Sequence, residues 1–124
     1  MDIVIGLGET GKPLFNILKR NYINTCGVDI GMKSTLDFYG KAGFMNICIP
    51  YSDSFVDIAK EYQNIFKPEV IIIHSTVPIG TTSKIENAVH SPILGKHDGM
   101  EMSLKLFPKW IGGGINSIKA KTYF

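Results

Sequence analysis

The sequence predicts an α/β domain: a doubly wound, parallel sheet of about five to six strands in a three-layer αβα arrangement. Two observations carry this. Short apolar runs at residues 2–5, 25–30, 44–50 and 69–74 alternate with stretches of helical periodicity, the pattern of a parallel sheet with crossover helices on both faces. The run Glu69-Val-Ile-Ile-Ile-His74 is also continuously apolar between its two end residues, as expected of a central strand covered on both sides.

The chain opens on the first strand and then breaks into glycines, Gly6-Leu-Gly-Glu-Thr-Gly11. Gly6 suits the tight turn out of a strand, Gly8 lets backbone N–H groups approach a pyrophosphate, and Gly11 allows close helix–strand packing. Pro13 is tolerated in a first helical turn, and Leu14, Phe15, Ile17, Leu18 and Tyr22 supply a buried stripe. The helix N-terminus at residues 9–12 then faces an anion. A second apolar run places Asp29 eighteen residues after Gly11, close to the spacing of a carboxylate that holds the adenosine ribose. The signature is that of a Rossmann-like dinucleotide site, and it rests on this strand, helix and acid context rather than on the glycines alone.

Residues 31–40 have room for one or two helical turns. A third strand over residues 44–50 ends at Pro50, and Tyr51-Ser-Asp-Ser54 forms a turn with cap residues. Phe55, Ile58, Ala59, Tyr62, Ile65 and Phe66 recur at helical spacing and stop before Pro68. After the fourth strand, Ser75-Thr-Val-Pro-Ile-Gly-Thr-Thr82 leads to a short helix expected over residues 83–88 and a short strand over 89–92. Residues 93–103 read as loop, 104–107 as helix and 109–112 as a last strand.

At 124 residues the chain is expected to be one domain, residues 1–124, with a core of its own. Thirteen Lys plus Arg against eleven Asp plus Glu leave +2. No basic block points to nucleic acid or membrane surface, so small molecules are the expected partners. Cys26 and Cys48 lie in strand-like runs without C-x-x-C spacing and are expected to be reduced, buried thiols. No leader-like segment or membrane-length apolar run occurs, so a cytoplasmic protein is expected. His74, His90, His97, Asp98 and Glu101 offer donor chemistry but no ligand spacing, and no metal is expected.

These residues together resemble the NAD-binding domain of the UDP-glucose/GDP-mannose (nucleotide-sugar) dehydrogenase family. Gly6-Leu-Gly-Glu-Thr-Gly-Lys-Pro-Leu14 is similar to that family's G-L-G-x-x-G-L-P-L opening, Val28-Asp29-Ile30 to its V-D-I, and Cys48-Ile-Pro50 to its C-V-P. Ser75-Thr-Val-Pro-Ile-Gly-Thr-Thr82 departs from its S-T-V-P-P-G-T-T only at Ile79. His90-Ser-Pro92 and Ile111-Gly-Gly113 stand where the family has S-P-E and V-G-G. The resemblance spans residues 1 to about 118.

The resemblance implies hydride transfer from the C6 alcohol of a UDP- or GDP-sugar to NAD. Its implied site comprises Gly6, Leu7, Gly8, Glu9, Thr10, Gly11, Asp29, Lys33, Pro50, Tyr51, Ser75 and Thr76, with Thr76 the catalytic candidate. Asp29 either holds ribose hydroxyls, favouring NAD over NADP, or caps a turn; Lys33 is a cation that can accept a 2′-phosphate. Ser75 and Thr76 bring hydroxyls to the nicotinamide, cap a helix, or both. The segment before Cys48 is shorter than the family's, and the family's glutamates after S-P are replaced by Ile93-Leu-Gly-Lys-His-Asp98. The family continues past the equivalent of residue 124 into a dimerising helix and a substrate domain that supplies the catalytic thiolate. The expected partners are therefore NAD(H), a nucleotide sugar and a second copy of the chain, with no turnover by these residues alone. The alternative reading is a stand-alone NAD(H)-binding module with a sensing or assembly role.

Overall fold

The computed structural model describes residues 1–22, 24–29, 41–93, 99–106, 110–114 and 116–123. Strands β1 (Asp2–Ile5), β2 (Thr25–Val28), β3 (Phe44–Ile47), β4 (Val70–Ile73) and β5 (Ala88–His90) form one sheet in the order β2-β1-β3-β4-β5. Every neighbouring pair is parallel, with Ile5 opposite Val28 on one side and Ile47 on the other, and Ile73 opposite Ile47 and His90. The chain leaves β1 toward β2, then crosses β1 to β3 and continues outward. The strand order therefore reverses between β1 and β3, which is where open α/β sheets hold their ligands.

Helix α2 (Phe55–Phe66) covers one face. Phe55, Ala59, Tyr62 and Phe66 are buried against Ile3, Ile5, Met45, Ile47, Ile71 and Ile73. These strand residues are spaced by two, so the opposite positions point to the other face. There Val4, Val70, Ile72 and Val89 meet Leu14 and Leu18 of α1 (Gly11–Asn21) and Ala120 and Tyr123 of α4 (Asn116–Tyr123). Helix α2 stops because Lys67 adopts a left-handed φ of 45° ahead of Pro68, its N–H returning to the Gln63 carbonyl at 2.8 Å. The residue before a proline is disfavoured in the α region, so the helix cannot run on.

Several expectations shift. Tyr22 does not continue the buried stripe of α1. It caps the helix and is 37% exposed, while its hydroxyl donates to the Tyr123 carbonyl at 2.7 Å. Ile65 lies on the exposed side of α2. The helix expected over residues 83–88 is one 3₁₀ turn, Thr82–Lys84, because Ala88 already pairs with Ile71 in β5. Helix α3 (Met100–Leu106) begins four residues earlier than the expected start at 104. It packs on α1, where Arg20 donates to Glu101, and Glu101 also lies 3.8 Å from Lys105 one turn on. Of the expected last strand, residue 109 lies outside the described residues, and among the described ones Gly112 forms an antiparallel bridge with His90. Both cysteines are outside any disulfide and are partly buried rather than fully buried. Cys26 sits on β2, which ends the sheet, and Cys48 lies just past the end of β3. The turns expected within residues 31–40 lie outside the described residues. No helix among those described is long and apolar enough to cross a membrane.

Candidate functional site

The carboxyl ends of β1, β3, β4 and β5 open into a cleft of about 410 Å³ lined by Glu9 and Thr10 after β1, Pro50 and Tyr51 after β3, and Ser75 and Thr76 after β4. Cys48, Ile49, His74 and Ile93 complete its lining. A larger hollow of about 500 Å³ lies between α1, α3 and α4 among mainly apolar side chains such as Leu14, Ile17 and Leu104. It is away from the strand ends, whereas the cleft gathers hydroxyl-bearing residues, Thr10, Tyr51, Ser75 and Thr76, at them.

The glycine turn is shaped for this position. Gly6 has φ +88°, which favours glycine, and its N–H donates to the Val28 carbonyl at 2.8 Å, tying the turn to β2. A Cβ on Gly11 would lie 1.7 Å from the Gly6 carbonyl oxygen and 3.0 Å from Cys48 Cβ, so the start of α1 presses directly on the strand ends. A Cβ on Gly8 meets nothing within 4 Å, leaving that stretch of backbone open to solvent beside the helix N-terminus. Thr10 occupies the N-cap without a side-chain cap bond. An exposed backbone edge on a helix N-terminus is suited to an anion.

The other residues named from the sequence divide by where they lie. Glu9, Thr10, Pro50, Tyr51, Ser75 and Thr76 meet in the cleft. Asp29 is exposed one residue past β2, on the far side of β1 from the cleft's β3 and β4 rim. Leu7 turns away: it packs toward the core on the α1 face, and its methyl groups fill the space a Cβ on Gly27 would need, 2.9 Å away. Lys33 lies outside the described residues. Ser75 is not a helix cap. Its hydroxyl donates to the Ile49 carbonyl and so ties the loop after β4 to the loop after β3. Ser54 stands at the N-cap of α2, likewise without a side-chain cap bond.

Sequence reading missed a polar chain beneath the cleft. Asn46 is fully buried in the middle of β3. Its carbonyl oxygen pairs with His74 Nε2 at 2.8 Å, and its amide donates to the Ile3 carbonyl and to the Tyr123 hydroxyl, each at 3.3 Å. The Asn46 carbonyl oxygen accepts, so His74 Nε2 carries the proton. Burial, reinforced by the negative charge of Asp2, pushes the Tyr123 phenol well above the usual tyrosine range. The Tyr123 ring stacks on Phe44 at 4.0 Å and on Tyr22 at 5.1 Å. The available signal was Asn46 itself, a polar residue in an otherwise apolar strand run. His90 Nε2 pairs with the Ser75 carbonyl at 3.0 Å, which places it in loop support. Among the described residues no three His, Cys, Asp or Glu side chains converge as metal ligands would.

The architecture is a Rossmann-like α/β fold. No protein-family model matches the sequence, and no curated protein sequence matches it. Solved structures do match in fold. A UDP-D-ManNAc dehydrogenase from Pyrococcus horikoshii superposes with a TM-score of 0.81 at 17% identity, covering 99% of this chain and 44% of that one. A 3-hydroxyisobutyrate dehydrogenase from Mycobacterium tuberculosis superposes with a TM-score of 0.68 at 14% identity, covering 96% of this chain and 48% of that one. The chain thus spans less than half of either dehydrogenase, and at these identities the likeness is one of fold.

Proposed function

We propose that residues 1–124 form the NAD(H)-binding domain of a dehydrogenase related to the nucleotide-sugar 6-dehydrogenases, whose substrates are UDP- or GDP-sugars. The observation that carries the reading is the turn from Gly6 to Gly11. It delivers an open backbone edge at Gly8 and the N-terminus of α1 to the point where the strand order reverses. The residues fit the cofactor: Gly8 leaves room for a diphosphate, and Asp29 stands at the end of β2 where a ribose-holding carboxylate belongs. When bound, the nicotinamide supplies the hydride acceptor. Ser75 spends its hydroxyl on Ile49, so of the Ser75-Thr76 pair the exposed Thr76 hydroxyl is the one offered to a substrate. The dehydrogenases among the fold neighbours and the motif resemblance support the nucleotide-sugar assignment.

The test is titration calorimetry with NAD on the unaltered chain and on Gly8→Val. A Cβ at this position meets nothing within 4 Å, so the variant is expected to keep its fold and to lose affinity by at least about tenfold, the space for the phosphates being filled. Equal affinity in both, or none in either, removes the proposal.

A further inference from the structure

We infer that the hollow between α1, α3 and α4 binds a single-chain amphiphile with an anionic head, of the class of medium-chain alkyl carboxylates. The inference stands apart from the cofactor reading. The hollow lies on the α1 face of the sheet and shares no described lining residue with the cleft at the strand ends. Its volume of about 500 Å³ is that of a pocket for a small molecule.

Leu14 and Ile17 of α1, Leu104 of α3 and Ile111 make its apolar walls. Ile17, Leu104 and Ile111 are each partly exposed, so an alkyl chain entering the hollow removes apolar surface from water. The two tyrosines of the lining already use their hydroxyls within the protein. Tyr22 donates to the Tyr123 carbonyl, and the Tyr123 hydroxyl accepts from the Asn46 amide. The charged groups left to recognise a ligand are two lysines, Lys105 on α3 and Lys121 on α4, both exposed. No acidic side chain stands among the described lining residues. Lys105 lies 3.8 Å from Glu101, but that carboxylate also accepts from Arg20, so the group is three cations against one carboxylate and stays positive. Lysine stems cover apolar surface while their ammonium groups remain in water. An apolar hollow with cations at its rim complements a buried chain whose anionic head stays at the surface.

Each methylene buried tightens binding by up to about fourfold, and each exposed lysine facing an anionic head adds about two- to fivefold. The experiment is titration calorimetry of the whole chain with octanoate, decanoate, octanol and octylammonium, all below their micelle concentrations. Decanoate binds roughly tenfold more tightly than octanoate, and octanoate roughly fivefold more tightly than octanol, with octylammonium weakest. Lys105→Gln and Lys121→Gln each narrow the preference for the carboxylate by about two- to fivefold and keep the dependence on chain length. Ile17→Asp, at a partly exposed position of α1, weakens decanoate by at least about tenfold with an unchanged far-UV circular dichroism spectrum. Equal affinity for the three head groups, lysine variants that leave the preference intact, or no binding of any amphiphile overturns the inference. Displacement of decanoate by NAD would put it in the cleft and overturn the inference too.

Discussion

Replacing Gly11 by alanine tests how the site is held, separately from what it binds. The added Cβ would sit 1.7 Å from the Gly6 carbonyl oxygen and 2.8 Å from its carbon, both backbone atoms. Gly6 has little freedom to withdraw, since its N–H is bonded to Val28 and its own Cβ position is crowded by Cys48 and Ile49. The relief must come from α1, which has to move off the sheet by more than an ångström and loosen Leu14 and Leu18, each 2% exposed. Overpacking of this kind costs about 1–3 kcal/mol, and partial exposure of two leucines adds about 1–2 kcal/mol. The gain from replacing glycine by alanine returns up to about 1 kcal/mol. The net expectation is a loss of about 2–4 kcal/mol, or a fall of roughly 1–2 M in the urea midpoint for a slope near 2 kcal/mol/M. Urea unfolding followed by far-UV circular dichroism measures it, with Gly8→Ala as the control, which stays within about 0.5 kcal/mol. An unchanged midpoint in Gly11→Ala, or an equal fall in both variants, would refute the close-packing argument.

Other outcomes are expected. Asn46→Leu, near in size, leaves His74 Nε2 and the Tyr123 hydroxyl without their Asn46 partner and costs about 2–4 kcal/mol in the same assay; a neutral result would show that the polar chain contributes little. Because burial raises the folded pKa of Tyr123 above the usual tyrosine value of 10.0, the folded state holds the phenolic proton more tightly. That contribution is present below about pH 10 and is lost as pH climbs above it. Stability should therefore decline on that side more steeply in the unaltered chain than in Tyr123→Phe, as thermal unfolding at pH 9 to 11 would reveal. Asp29→Ala should weaken NAD by roughly tenfold or more while affecting NADP less; tighter binding of NADP than NAD by the unaltered chain would contradict the role given to Asp29.

The elements that the sequence made legible are those where local pattern and tertiary role agree. Helix α2 runs from Phe55 to Phe66 as its apolar spacing and Pro68 dictate, and the glycine turn stands between β1 and α1 as its three glycines require. Six residues from three separate motifs, Glu9, Thr10, Pro50, Tyr51, Ser75 and Thr76, converge on one cleft because parallel strands bring their carboxyl ends to the same edge. What escaped the sequence depends on partners distant along the chain. Helix α3 starts early because α1 receives it through Arg20 and Glu101, which compensates for the glycine that precedes it. The run at 109–112 has strand composition, but among its described residues Gly112 alone bridges, to His90. The need for a glycine at position 27 follows from where Leu7 lands, and the part played by Asn46 follows from His74 and Tyr123, neither of which is near it in sequence.

The α1 face of the core is assembled from segments about a hundred residues apart, with Val4, Leu14 and Leu18 on one side and Ala120 and Tyr123 on the other. The bond from Tyr22 to Tyr123 joins positions 101 apart. This bears on how the protein matures during synthesis. Ribosomal elongation at ~5–20 residues per second leaves that face of the sheet uncovered for roughly 5–20 s after its first half has been made. The early segments hold their apolar stripe open for that time, as a surface for chaperones or for misassociation, and this face of the core closes when α4 arrives.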